Sequence, residues 1–238
     1  MSESMGFLMR IKYVKRGRLA FLSHLETIRS MERIIRRAGL PYAVTEGFNP
    51  HMKVSFGPAL PVGAASECEY LDLRLREYVK PQDALQRMLE GSVGDLAPVE
   101  CGYIDLRADA VTVAFPVSEW TALFEDCRAQ DVQEAFGALM ERGYIEVKRK
   151  PKKRRGPLEV KQVPLEGRLL GEPLVVQEGS GVRVDFATRA QDQGSLRPDR
   201  FIEAALAGVE GEPPRLASLV RLRLRGDEYA LRHTRGRG

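Results

Sequence analysis

Apolar residues recur at Leu25, Ile28, Met31, Ile35 and Ala38, the three-and-four spacing that turns one helix face toward a core. Ser23 followed three residues later by Glu26 has the form of a capping box, and Gly39 then Pro41 form a stop. A helix is therefore predicted over 25–38. Strands are predicted over 7–14, 42–45 and 68–75, the last because Leu71, Leu73 and Leu75 alternate with Asp72, Arg74 and Arg76. A second helix over 81–89 and a strand over 99–106 complete a β-α-β-β-α-β order, the ferredoxin-like arrangement.

The rest of the chain is expected to repeat that order. Strands are predicted over 110–117, 144–150, 182–187 and 219–224, with helical segments over 120–124, 132–141 and 199–207. The fold class is thus α+β, two tandem ferredoxin-like halves. The N-terminal half takes residues 1–107; the C-terminal half, 108–238, carries a basic arm at 148–161 and a flexible tail. One larger α+β sheet is the alternative architecture.

Composition narrows the functional classes. The 43% apolar and 29% charged content is that of an ordinary soluble protein. No run reaches the roughly 18 apolar residues of a membrane span. The first residues lack a basic stretch followed by an apolar one, so a cytoplasmic location is expected and no membrane partner. Cys68, Cys101 and Cys127 are far apart and odd in number, which argues against a disulfide framework, a zinc site or an iron–sulfur centre. No phosphate loop, dinucleotide fingerprint or nucleophile elbow is present, and nothing has metal-ligand spacing.

The net charge of +4 is modest, but its cations are clustered. Arg29, Arg33, Arg36 and Arg37 form one stripe on the helix face opposite the apolar one. Lys148, Arg149, Lys150, Lys152, Lys153, Arg154 and Arg155 occupy seven of eight positions and predict an extended or flexible arm. Residues 47–63 hold three Gly and three Pro, a stiffened frame on which Asn49, His51, Lys53 and Ser55 supply donors and Phe48 and Phe56 supply flat apolar surfaces. Donors interleaved with aromatics suit an unpaired base and its phosphate. His24, at the first turn of the helix, is the one weak catalytic candidate; the positive helix end favours its neutral form. Glu69 and Asp72 are expected to pair with arginines and not to act as acid and base.

These segments resemble the radical SAM-linked proteins of bacteria, a domain of uncharacterised function. The resemblance runs from Arg10 to about Leu75, through Gly17-Arg18-Leu19, Phe21-Leu22-Ser23-His24-Leu25 and Gly47-Phe48-Asn49-Pro50-His51, then Ser55-Phe56-Gly57-Pro58 and Glu69-Tyr70-Leu71-Asp72. It is weaker beyond, resting on Gly194-Ser195-Leu196-Arg197-Pro198. Glu26 stands where the family commonly has Asp, and Met52 where it commonly has Pro. The resemblance implies a radical SAM protein as partner, which carries the iron–sulfur cluster and S-adenosylmethionine; this chain holds no cofactor itself. The expected function is an accessory that binds structured RNA, a tRNA or rRNA, for modification, with Arg18, His24, the helix arginines, Asn49, His51, Lys53 and the basic arm as contacts. A metal-independent endoribonuclease with a histidine acid or base, and a pure docking domain for the partner, stand as alternatives. In a ferredoxin-like half, His24 and residues 49–51 would lie toward one edge and form one cleft.

Overall fold

A computed structural model describes residues 6–149, 159–191, 195–209 and 211–226. β1 (Phe7–Lys15) is followed by a 3-10 turn (Gly17–Phe21), α1 (His24–Arg37), β2 (Val54–Phe56), β3 (Ala65–Leu75), α2 (Pro81–Glu90), β4 (Leu96–Ile104) and the one-turn α3 (Val111–Ala114). These elements and the chain from Arg221 onward form one unit; residues 117–220 form a second.

In the first unit β1 lies between β3 and β4, antiparallel to both, with Met9 opposite Leu73 and Tyr103. β2 pairs antiparallel along the other edge of β3, Val54 opposite Leu73. Strand alternation turns Met9, Ile11, Tyr13, Leu71, Leu73 and Leu75 to one face, where Met31, Ile34 and Ile35 of α1 and Ala84 and Met88 of α2 cover them. The other face carries Arg10 against Asp72, in register and hydrogen-bonded at 2.7 and 2.9 Å. Cys68, Val111, Ala114, Phe115 and Leu224 make a second apolar cluster.

The second unit runs β5 (Val117–Glu125), α4 (Ala129–Arg142), β6 (Tyr144–Arg149), β7 (Glu159–Pro164), β8 (Leu174–Glu178), β9 (Gly181–Arg189), α5 (Pro198–Leu206) and the start of β10 (Arg215–Arg225). Its strand order is β10-β5-β9-β8, while β6 and β7 pair apart as a two-stranded ribbon. Phe186 of β9, Phe201 of α5 and Phe136 of α4 meet ring to ring in its core.

The fold is α+β, and several elements differ from expectation. Residues 110–117 are not a strand: α3 sets Val111, Ala114 and Phe115 on one face, at the three-and-four spacing of a helix, to pack against Cys68. Residues 120–124 are not helical: Trp120, Ala122 and Phe124 alternate inward as strand β5. Residues 42–45 make only isolated bridges, Tyr42 to Leu75 and Val44 to Met52. β7 was not anticipated, because most of its residues are exposed and no apolar alternation marks it. The division expected near residue 108 falls after Pro116, and residues from Arg221 return to the first unit.

Candidate functional site

The start of α1 is braced from within. Gly17 adopts φ +50° and a side chain there would meet the Asp95 carboxylate, so the turn into 17–21 requires glycine. Lys15 is 1% exposed, and its Nζ donates at 2.8 Å to the carbonyls of Ala20 and of Leu22. Burial pushes the Lys15 pKa down, against the pull of Glu69. Gly63 N–H donates to the Ala20 carbonyl at 3.0 Å. Ser23 and Glu26 complete the capping box, Ser23 N–H donating to Glu26 Oε2 at 2.8 Å. Phe21 stays 70% exposed and Leu25 55%; Val62, next to the Gly63 that the Phe21 ring approaches, is 64% exposed.

His24 is the first residue of α1. Its ring meets Phe56 edge-on, centroids 6.3 Å apart, and Phe56 meets Tyr13 likewise at 6.5 Å. Burial, helped by Lys15 and opposed by Glu69, holds the His24 pKa below its ordinary value. Glu69 is itself occupied: Arg221 Nη1 donates to both of its carboxylate oxygens at 2.8 and 2.9 Å, and to the Pro58 carbonyl at 3.1 Å. Both partners of that ion pair are buried. Burial first, then Glu69, raises the Tyr13 pKa well above its ordinary value. Among the described residues no acid or base is hydrogen-bonded to the His24 ring, so the arrangement suits donating or accepting a hydrogen bond.

His51 stands elsewhere. Thr45 N–H donates to the His51 carbonyl at 2.8 Å and His51 N–H to Thr45 Oγ1 at 2.9 Å, closing a hairpin that rejoins the sheet where Lys53 N–H meets the Ala43 carbonyl. Its tip, residues 46–50, is exposed, and the Phe48 ring is wholly so. Asn49, His51 and Lys53 are exposed too. No hydrogen bond or ring contact joins the two histidines among the described residues: His24 meets Phe56, and His51 closes the hairpin at Thr45. Gly57 lies close under Val111 and the Tyr70 carbonyl, which explains the motif's second glycine.

Arg29, Arg33, Arg36 and Arg37 are all exposed on the outer face of α1, Arg36 paired to Glu32 at 2.8 Å. Arg18 is exposed in the preceding turn. Lys148 lies exposed on β6, opposite Val160, and the backbone of Arg149 is in register with that of Glu159. The arm expected at 148–161 thus begins and ends in a paired ribbon. Lys150, Lys152, Lys153, Arg154, Arg155 and the tail from 227 lie outside the described residues. Among those described, no three His, Cys, Asp or Glu side chains gather to hold a metal, and no helix is long and apolar enough to cross a membrane.

Sequence reasoning missed Lys15, Tyr13 and Arg221. Lys15 closes the β1 pattern where the strand turns in toward α1, a weak signal at best. Nothing local marks Arg221, whose partner is 152 residues away.

A family model, described as uncharacterized protein conserved in bacteria (DUF2344), matches residues 9–198. No curated protein matches the chain. Among solved structures, a chain of a Cbf5-Nop10-Gar1 complex is similar at 14% identity and a TM-score of 0.45, over 94% of this chain and 51% of that one. The chain therefore spans about half the length of that relative.

Proposed function

We propose for this chain, which belongs to the uncharacterized bacterial family DUF2344, a non-catalytic role: binding structured RNA, a tRNA or rRNA, for modification by a radical SAM partner. The observation that carries this reading is the outer face of α1. Four arginines, Arg29, Arg33, Arg36 and Arg37, stand exposed on a helix whose opposite face is locked into the core. Cations so presented neutralise phosphates and release counterions. The Phe48 ring, on a hairpin closed at Thr45 and His51, offers a stacking surface for an unpaired base, with Asn49 and His51 beside it. Docking of a protein partner is assigned to Phe21, Leu25 and Val62, exposed apolar side chains on a stiffened backbone. We read each unit as ferredoxin-like; the strand order β4-β1-β3 with β2 beyond, and β10-β5-β9-β8, support that reading.

Binding of labelled tRNA and rRNA fragments, followed by fluorescence anisotropy against salt, tests the reading. Replacing Arg29, Arg33 and Arg37 by Ser is expected to weaken binding and to lower the slope of log affinity against log salt by about 2 to 3. No binding at low salt, or an unchanged slope, retires it. The RNA is expected to emerge intact. Cleavage abolished by His24→Ala would replace this reading with a histidine-dependent ribonuclease.

A further inference from the structure

Tyr78 lies in the segment 76–80 that joins β3 to α2 in the first unit. Its ring stacks on Tyr103, centroids 5.1 Å apart and planes 25° from parallel. Phe7 meets Tyr78 edge-on at 5.8 Å and Tyr103 at 5.7 Å. The three centroids are nearly equidistant, so both neighbours lie toward one side of the Tyr78 ring, and the residue stays 58% exposed. The chain is pinned on either side of it. Arg76 N–H donates to the Pro41 carbonyl at 2.8 Å. The Tyr103 hydroxyl accepts from Val79 N–H at 2.9 Å and donates to the Val79 carbonyl at 2.8 Å. Cys101 Sγ donates to the Pro81 carbonyl at 3.1 Å. Val79 and Tyr103 pack against the core that α1 and α2 cover. A ring needed only to close that core would be buried; Tyr78 is held out of it.

Cations flank the ring. Arg76 and Lys80, on either side of Tyr78 in the chain, are exposed, and among the described residues neither forms an ion pair. Glu77 is the one carboxylate of the segment 74–80, against Arg74, Arg76 and Lys80. A flat π surface fixed before binding, with cations on both sides, fits a nucleobase and the phosphates that precede and follow it. The base would form a further layer on the Tyr103–Tyr78 stack, and a ring already held in place loses little freedom on binding. An apolar protein segment would leave both cations without a countercharge. A paired stem keeps its bases stacked on one another and offers Tyr78 none. We infer that Tyr78 is a stacking platform for an unpaired base of the bound RNA, with Arg76 and Lys80 on the flanking phosphates. The inference rests on the RNA reading and adds which part of the RNA is held: a loop, bulge or end.

Two fluorescent RNA hairpins with identical stems and loops of equal length test this. One loop carries its bases; the other is the sugar-phosphate backbone alone. The intact chain is expected to bind the first about fivefold or more tightly than the second. Tyr78→Ser is expected to lose about fivefold or more on the base-bearing hairpin and nothing on the other, whose unchanged binding shows that the variant is folded. Tyr78→Phe, which keeps the flat ring, is expected to bind both as the intact chain does. Arg76→Ser with Lys80→Ser is expected to weaken both hairpins and to lower the slope of log affinity against log salt by about 1 to 2. Equal binding of the two hairpins by the intact chain overturns the platform and leaves the RNA reading standing. A preference for bases that survives Tyr78→Ser overturns it too, as does a Tyr78→Phe that binds no better than Tyr78→Ser. An intact chain that binds neither hairpin at low salt ends both.

Discussion

His24 has a chemical character that its surroundings fix more than its position in the chain does. Its pKa is held below the ordinary value of 6.5 by burial and by Lys15. The unfolded chain therefore takes up a proton that the folded one resists, and stability rises with pH across that interval. Stability is lost as pH falls through 6.5 and onward to the lower folded value. Urea midpoints at pH 5 and pH 7.5 measure this. His24→Gln is expected to narrow the difference between the two midpoints, and an unaltered difference would show that His24 contributes nothing to it. The sequence disclosed His24 and the exposed donors Asn49 and His51 because they are unusual residues in an unusual local setting. It did not disclose what surrounds His24, because Lys15, Tyr13 and Glu69 sit in strands whose alternation looks ordinary, and their convergence exists only once β1 and β3 pair.

At the scale of elements, α1 was the most legible part of the chain. Its period, its capping box and its terminating glycine are all local signals, and its arginine face follows from the same period. Ser23→Ala should cost about 1 kcal/mol, read from chemical denaturation, while Ser23→Asp should retain most of that. A loss of a few tenths or less would mean that packing of Met31, Ile34 and Ile35 alone sets the start of the helix. Shorter elements were misread where local pattern is ambiguous. Val111, Val113, Phe115 and Val117 alternate as a strand would, while Val111, Ala114 and Phe115 fit one helical turn, and only the apolar surface that the latter three cover decides between the two. Trp120 to Phe124 posed the converse problem. β7 has no buried face, so hydrophobic pattern, the primary signal for a strand, has nothing to report.

On the scale of the whole molecule, the buried pair of Arg221 and Glu69 links residues far apart in the chain. Arg221→Ala leaves a buried carboxylate without its countercharge and should cost about 3–5 kcal/mol in denaturant unfolding. Replacing both, Arg221→Met with Glu69→Leu, should cost far less, since neither charge is then stranded. A single-variant loss below about 1 kcal/mol would show that solvent reaches Glu69 and relieves it. The same connection bears on the order in which the protein is made. Glu69 leaves the ribosome 152 residues ahead of Arg221. At about 5–20 residues per second the carboxylate waits roughly 8–30 s for its partner. Through that interval the second unit can be synthesised to its last strand while the first still lacks the residues that neutralise its interior. Nascent chains stalled before Arg221 should therefore be the species that chaperones hold, and release of the final strand the event that frees them.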